Sequence, residues 1–305
     1  MRRFEFHTLD VFTADKFGGN PLAVFPYATG LTDADMQSIA AEINYSETTF
    51  VLPPQDPSAT ARIRIFTPKH ELPFAGHPNV GTGYLLARHP DMMPNKLAGD
   101  QLVFEEIAGN VHITPLSNAT GEVTGSSITA PQPFRQQTTI PATIIAKSVG
   151  LDEAAIQTTR TPPIVGGTGL DFAIAEVASH ESLRRAQPSL DGFIAAEASH
   201  SYGTDSFSLL LFFAASDGVI YTRMFAPLGG IVEDPATGSA AAALAGLLTQ
   251  IDASRDDSIH FDIRQGIEMG RPSQISVAVK TTNGKALPPV ISGSCVEVIS
   301  GTFRL

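Results

Sequence analysis

The chain opens on alternating apolar and polar positions. FEFHTLDVF and NPLAVFPY read as two strands around a turn at Gly18-Gly19-Asn20-Pro21. The period then changes. Thr32 with Asp35 three residues on makes a capping signature, and Met36, Ile39, Ala40 and Ile43 follow at helical spacing, predicting an amphipathic helix over 33–43. TTFVLPP and ARIRIFTP return to strand patterning on either side of a Pro-rich turn. A helix beginning near Pro78 comes next, since proline costs nothing in a first turn. The middle of the chain, QLVFEEIAGNVHITPL, GEVTGSSITAP and LDFAIAEVAS, reads as strands and turns. Gly166-Gly167-Thr168-Gly169 lacks the lysine and spacing of a phosphate loop and reads as a turn before a strand at 170–177. FSLLLFFAA and GVIYTRMFAP predict a hairpin across Ser216-Asp217-Gly218. The tail reads as three strands with a turn at Asn283-Gly284.

Two separated stretches repeat one another. RIFTP at 64–68 is followed by GHPNVGTGYLL at 76–86, and RMFAP at 223–227 by EDPATGSAAAA at 233–243. Aligning Pro78 with Pro235 sets Gly81 on Gly238, Thr82 on Ser239, and His77 opposite Asp234. The helix after Asp234 is small and apolar all round, as a helix buried on every side must be. The duplication predicts an α+β fold of two similar domains, each a curled, mainly antiparallel sheet around a central helix. The domains are drawn at 1–120 and 121–305, with the terminal strands free to pack on either. SNATGEVTGS at 117–126 is the linker candidate, though a hairpin turn has the same composition.

Composition narrows the function classes. The 305 residues carry 31 acidic against 20 basic side chains, a net charge of -11, with no Lys/Arg cluster to track a phosphate backbone. Nucleic acid is not expected as a partner. The longest apolar run, Leu209 to Ala215, falls far short of the roughly 20 residues that span a bilayer, so a cytoplasmic protein without a membrane partner is the expectation. A single cysteine, Cys295, and scattered histidines without ligand spacing give no disulfide and no expected metal.

Four residues offer chemistry. Asn20 reads either as a turn residue tolerant of left-handed geometry or as a binding group. Glu47, at a helix-to-strand junction, reads as a solvated charge or, among the uncharged Tyr45, Ser46, Thr48, Thr49 and Phe50, as a desolvated carboxyl of raised pKa able to act as a base. Asp234 before Pro235 reads as a plain helix N-cap; His77 at the matching place does not, because histidine is a poor cap. Two such helix starts brought together would present both side chains, and two sets of free backbone amides suited to a carboxylate, to one space.

NYSETTFV, RIFTPKHELPFAGHP, EDPATGSAAAAL and the N-terminal FTADKFGGNPLAVF together resemble the signature segments of the phenazine-biosynthesis isomerase (PhzF) family, from residue 4 to the end of the chain. The resemblance implies a diaminopimelate-epimerase-like fold, with the active site in the cleft between its two domains. It implies Glu47 as the acid/base, helped by Ser46, which would orient its carboxyl group. It further implies His77 and Asp234 as a substrate-positioning pair, with the backbone amides near Gly76, Gly238 and Ser239 holding a carboxylate. A proton shuttled by one carboxyl within a small carboxylate-bearing substrate requires no cofactor. A homodimer is the assembly that the resemblance suggests. The related epimerases and proline racemases use two opposed cysteines near these helix starts; Gly76-His77 and Asp234 stand there, which excludes thiol-based stereoinversion. Two other functions remain open: a non-catalytic small-acid-binding or interaction protein, and an epimerase or racemase using Glu47 alone.

Overall fold

The computed structural model describes residues 1–96, 99–200, 206–252 and 258–305. It divides into two compact units, one of Met1–Thr129 with Ser292–Leu305, the other of Ala130–Ile291.

The first unit runs β1 (Arg3–Val11), β2 (Asn20–Phe25), α1 (Asp33–Ile43), β3 (Glu47–Leu52), β4 (Ala61–Phe66), β5 (Glu71–Leu72), α2 (Gly76–Arg88), β6 (Leu102–Glu106), β7 (Gly109–Ser117) and β8 (Val123–Thr129). The outer part of the terminal strand, Val290–Arg304, pairs antiparallel with β1. β1 and β2 form the expected antiparallel pair, while β2 and β3 run parallel with Leu22 opposite Glu47. The sheet curls around α2, which is buried at every position from His77 to Leu86. Such enclosure demands small residues where strands come closest. A Cβ on Gly83 would stand 2.4 Å from Ile113 Cγ2, and one on Gly81 2.6 Å from Leu22 Cδ2. On its other side the sheet meets α1, whose Met36, Ile39 and Ala40 pack with Phe25, Phe50 and Phe66. Thr32 and Asp35 form the complete capping box that their spacing predicts.

The second unit comprises β9 (Arg135–Thr139), α3 (Ala142–Ser148), β10 (Ile156–Gln157), β11 (Ile164–Gly167), β12 (Asp171–Val177), α4 (His180–Arg185), α5 (Leu190–His200), β13 (Leu209–Ala214), β14 (Val219–Ala226), β15 (Ile231–Asp234), α6 (Gly238–Ile251), β16 (Ser258–Gln265), β17 (Ser273–Thr282) and β18 (Lys285–Ala286). α6 is its central helix, buried from Ala240 to Thr249. The pairing sequence of the first unit recurs. β2–β3 parallel, β3–β4 antiparallel, β4–β6 parallel and β6–β7 antiparallel are matched by β12–β13, β13–β14, β14–β16 and β16–β17. The duplicated sequence is therefore a duplicated topology.

Several local expectations are corrected. Residues 117–126 are the end of β7, a hairpin turn at 118–122 and the start of β8 rather than a linker, the turn being closed by Asn118 Oδ1, which accepts from the Thr120 and Glu122 N–H groups. The region read as strands and turns holds three short helices, α3 to α5, that cover the sheet and bury Ile145, Leu183 and Phe193. Gly166 and Gly167 lie inside β11, with the turn falling after them. Asp234 is not an N-cap. It ends β15, and α6 starts at Gly238 with Thr237 in the cap position. The helix of the second copy thus begins later relative to the shared proline than that of the first, because residues 234–237 are tied into a turn of their own.

Candidate active site in the first unit

Three elements converge near the start of α2. The parallel register of β2 and β3 brings Asn20, first residue of β2, beside Ser46 and Glu47 at the mouth of β3. The left-handed turn conformation falls on Gly19 (φ +61°), so the side chain of Asn20, 1 % exposed, is spent on contacts. The Ser46 hydroxyl donates to Asn20 Oδ1 at 3.2 Å, and Asn20 Nδ2 lies 3.4 Å from His77 Nδ1. With its oxygen engaged by Ser46, Asn20 turns its amide hydrogens to His77. A ring nitrogen that accepts carries no proton, so this arrangement leaves the imidazole proton on Nε2. Nε2 lies 3.5 Å from Glu47 Oε2.

Glu47 is not a solvated charge. Its side chain is 13 % exposed, and burial pushes its carboxyl up to about 7, the nearby Ser46 hydroxyl pulling part of the shift back. At neutral pH both protonation states are populated, which is the condition for one group to take and return a proton. His77 sits in the first turn of α2, after the half-buried Gly76. Ala75, the cap residue, offers no side-chain hydrogen bond, so the Gly76 and His77 amides are among those without an intrahelical acceptor.

The remaining expected residues belong to the second unit. The Thr237 hydroxyl donates to Asp234 Oδ2 at 2.5 Å, and Gln265, 1 % exposed, donates from Nε2 to the Asp234 carbonyl at 2.7 Å and to Thr237 Oγ1 at 3.0 Å. Gly238 is buried and Ser239 half-buried in the first turn of α6. Gln265 and Thr237 are supports that sequence reasoning missed, since a lone Gln at a strand end carries no local signal. Cys295 is buried, with its thiol pushed well above the usual range by burial, and so is held protonated. Among the described residues no cluster of three or more His, Cys, Asp or Glu has the geometry to hold a metal, and no helix is long and apolar enough to cross a membrane.

Comparison with known proteins agrees with the motifs. An uncharacterized isomerase of Mesorhizobium japonicum is 36 % identical over 300 residues, covering 96 % of each chain. The trans-2,3-dihydro-3-hydroxyanthranilate isomerase of Pseudomonas aeruginosa is 34 % identical over 303 residues, covering 97 % of this chain and 98 % of the relative. Among solved structures, a PhzF-family phenazine biosynthesis protein of Bacillus anthracis superposes with a TM-score of 0.85 at 25 % identity over the whole of both chains. A hydroxyproline epimerase of Agrobacterium vitis, with a TM-score of 0.66 at 13 % identity and coverage of 99 % and 92 %, shares the fold. The α+β epimerase-like architecture follows, and relatives named as isomerases support an isomerase function. A family model described as phenazine biosynthesis-like protein matches residues 9–301, and the chain belongs to that family.

Proposed function

We propose that the protein is a cofactor-independent isomerase that moves a proton within a small carboxylate-bearing substrate, with Glu47 as the sole acid/base. The observation that carries this reading is the buried Glu47 carboxyl, held near neutrality and faced by His77 Nε2. In its ionised form Glu47 takes a proton from a substrate carbon; as the neutral acid it returns that proton to another carbon, leaving the enzyme unchanged. His77 steadies the carboxylate form through Nε2–H, and Asn20 with Ser46 holds the ring in that tautomer. The Gly76 and His77 amides lie in the first turn of α2, where helix geometry suits a substrate carboxylate. In the second unit we assign Asp234, with the Gly238 and Ser239 amides, a substrate-binding role that is tested by itself: Asp234→Asn is expected to raise KM more than it lowers kcat.

The name of the Pseudomonas aeruginosa relative denotes a small carboxylate, so trans-2,3-dihydro-3-hydroxyanthranilate is the first compound to try. Incubation in heavy water, followed by proton NMR, reads where deuterium enters. Glu47→Gln should slow exchange by roughly 10²–10⁴-fold, the range for removal of a general acid/base. Exchange at the parent rate in that variant would refute the mechanism. Tight binding of small acids with no exchange in the unmodified protein would point instead to a binding protein. A homodimer is proposed on the family resemblance and is read by light scattering.

A further inference from the structure

Among the buried titratable groups of the first unit that the proposed mechanism leaves without a use, Glu106 stands close to the start of α2. Glu106 ends β6 opposite Gly109 in β7; it is 9 % exposed, and among the described residues neither carboxyl oxygen has a hydrogen-bond partner. Beside it stands Asn79, fully buried on α2 two residues beyond His77. Asn79 Nδ2 donates to the Ala75 carbonyl at 3.0 Å, while Asn79 Oδ1 is buried and also lacks a partner among the described residues. The turn after Glu106 is pinned to the same backbone, since Ala108 N–H donates to the Pro73 carbonyl at 3.1 Å. The two Glu106 carboxyl oxygens and the Asn79 amide oxygen, none with a hydrogen-bond partner among the described residues, therefore stand together next to the segment that leads into Gly76 and His77.

An ionised carboxylate cannot resolve this, because it only accepts. A neutral acid supplies the missing hydrogen. Burial pushes the Glu106 carboxyl up to about 8, with Asn79 pulling back only part of the shift, so the acid is mostly neutral at pH 7. The charged and titratable side chains of the surrounding elements are His77, Tyr84 and Arg88 on α2, Arg62 and Arg64 on β4, Glu71 on β5, Glu105 on β6 and His112 on β7. Arg64 is held by Glu71 and Asp33, and Glu105 accepts from the Gln55 and Asp56 N–H groups. Burial and Asn79 are what set the balance at Glu106.

We propose that Glu106 is a positioning residue, kept as the neutral acid, whose hydroxyl donates to Asn79 Oδ1 and so, through the Asn79–Ala75 bond, fixes the start of α2 and the aim of the His77 ring. The consequence for catalysis rests on the reading of Glu47 and His77 as the working pair. Ionisation of Glu106 replaces that donor with a buried charge and loosens the helix start, giving activity an alkaline limb.

Two measurements need no substrate. Infrared difference spectra across pH, taken in the Glu47→Gln background to remove the other carboxyl raised to near neutrality, should show a buried carboxylic-acid carbonyl band at pH 7. That band should fade through about pH 8 and vanish on adding Glu106→Gln. The His77 ring resonances of the otherwise unmodified protein should shift over the same interval, and Glu106→Gln or Asn79→Ala should abolish that step. A missing band, a band that survives Glu106→Gln, or a His77 ring blind to the transition overturns the inference, and the first needs no Glu106 variant to fold. In the exchange assay Glu106→Gln, which keeps a neutral donor, should retain kcat near neutrality within about threefold and lose the alkaline limb, while Glu106→Ala lowers kcat at all pH values. An unchanged limb in Glu106→Gln also overturns it. If the spectroscopic steps hold and no substrate exchange is ever found, Glu106 keeps its positioning role and the reading of Glu47 as a proton shuttle is what fails.

Discussion

Glu47 and Glu106 are two buried acids whose folded-state pKa values are raised, to about 7 and about 8. The linkage sign follows. Between the ordinary carboxylate range and these values the folded chain binds more protons than the unfolded one, so the stability they contribute is fully present at low pH and is lost as pH rises to about 7 and 8. Glu47→Gln should therefore be more stable than its parent at pH 8 by up to about 3 kcal/mol, and equal to it near pH 4, because each pKa unit is worth about 1.4 kcal/mol. Urea titrations at the two pH values check this; equal stabilities at pH 8 would mean that Glu47 is not desolvated. One of the two acids was legible in the chain and the other was not. Glu47 stands among uncharged neighbours, which is a readable cue for desolvation. Glu106 is half of a Glu105-Glu106 pair on a strand, where alternation sends one side chain outward and the other inward. Nothing local says which, so its burial emerges only when β6 is set in register beside β4 and β7.

Elements were legible where local chemistry decides them. The capping box at Thr32 and Asp35 ends at the hydrogen bonds its spacing predicts, and Thr32→Ala should cost about 1 kcal/mol in thermal unfolding. Helices α3, α4 and α5 were missed because they are short and stabilised by covering a sheet, a contact no window of sequence contains. The start of α6 was misplaced for a similar reason. Asp234 has the identity of a cap, but Gln265, some thirty residues away, holds its carbonyl and Thr237, so the chain turns once more before the helix begins. The two central helices themselves were foreseen, and they can be tested through their close approaches. Gly83→Ala gains helix propensity of up to about 1 kcal/mol but drives a methyl to 2.4 Å from Ile113, which overpacking data price at about 1–3 kcal/mol. Calorimetry should find the variant destabilised, and recovery on adding Ile113→Val would identify the clash as the cause.

At the scale of the whole molecule the duplication has a physical device in each copy. In the first, Arg64 on β4 makes a two-pronged ion pair with Glu71 on β5, Nε to Oε1 at 2.7 Å and Nη2 to Oε2 at 2.6 Å, with its guanidinium 5.1 Å from the Phe66 ring. In the second, Arg223 on β14 pairs likewise with Glu233 on β15, both bonds at 2.8 Å, its guanidinium 4.9 Å from the Phe225 ring. The Arg-x-aromatic spacing of the repeated stretches thus encodes a clamp that ties each central strand to the short strand leading toward its helix. The copies differ in what else the arginine does. Arg64 reaches Asp33, which is 84 % exposed, whereas Arg223 is nearly sealed and donates from Nη1 to the carbonyls of Leu183, Arg184 and Ala186, holding the end of α4. Removing Arg64 leaves acids that water can reach; removing Arg223 strands Glu233 and three carbonyls, one of the few point changes that costs about 3–5 kcal/mol. Arg223→Ala should accordingly destabilise at least twice as much as Arg64→Ala. In hydrogen exchange Arg223→Ala should release the amides of α4 and β15 ahead of those in α2, while Arg64→Ala opens β5 and leaves the second unit protected. Equal losses in the two variants would mean that the clamps are interchangeable ornaments of the repeat. The expected asymmetry would mean that duplication supplied one device, and that burial in the second copy turned it into an anchor.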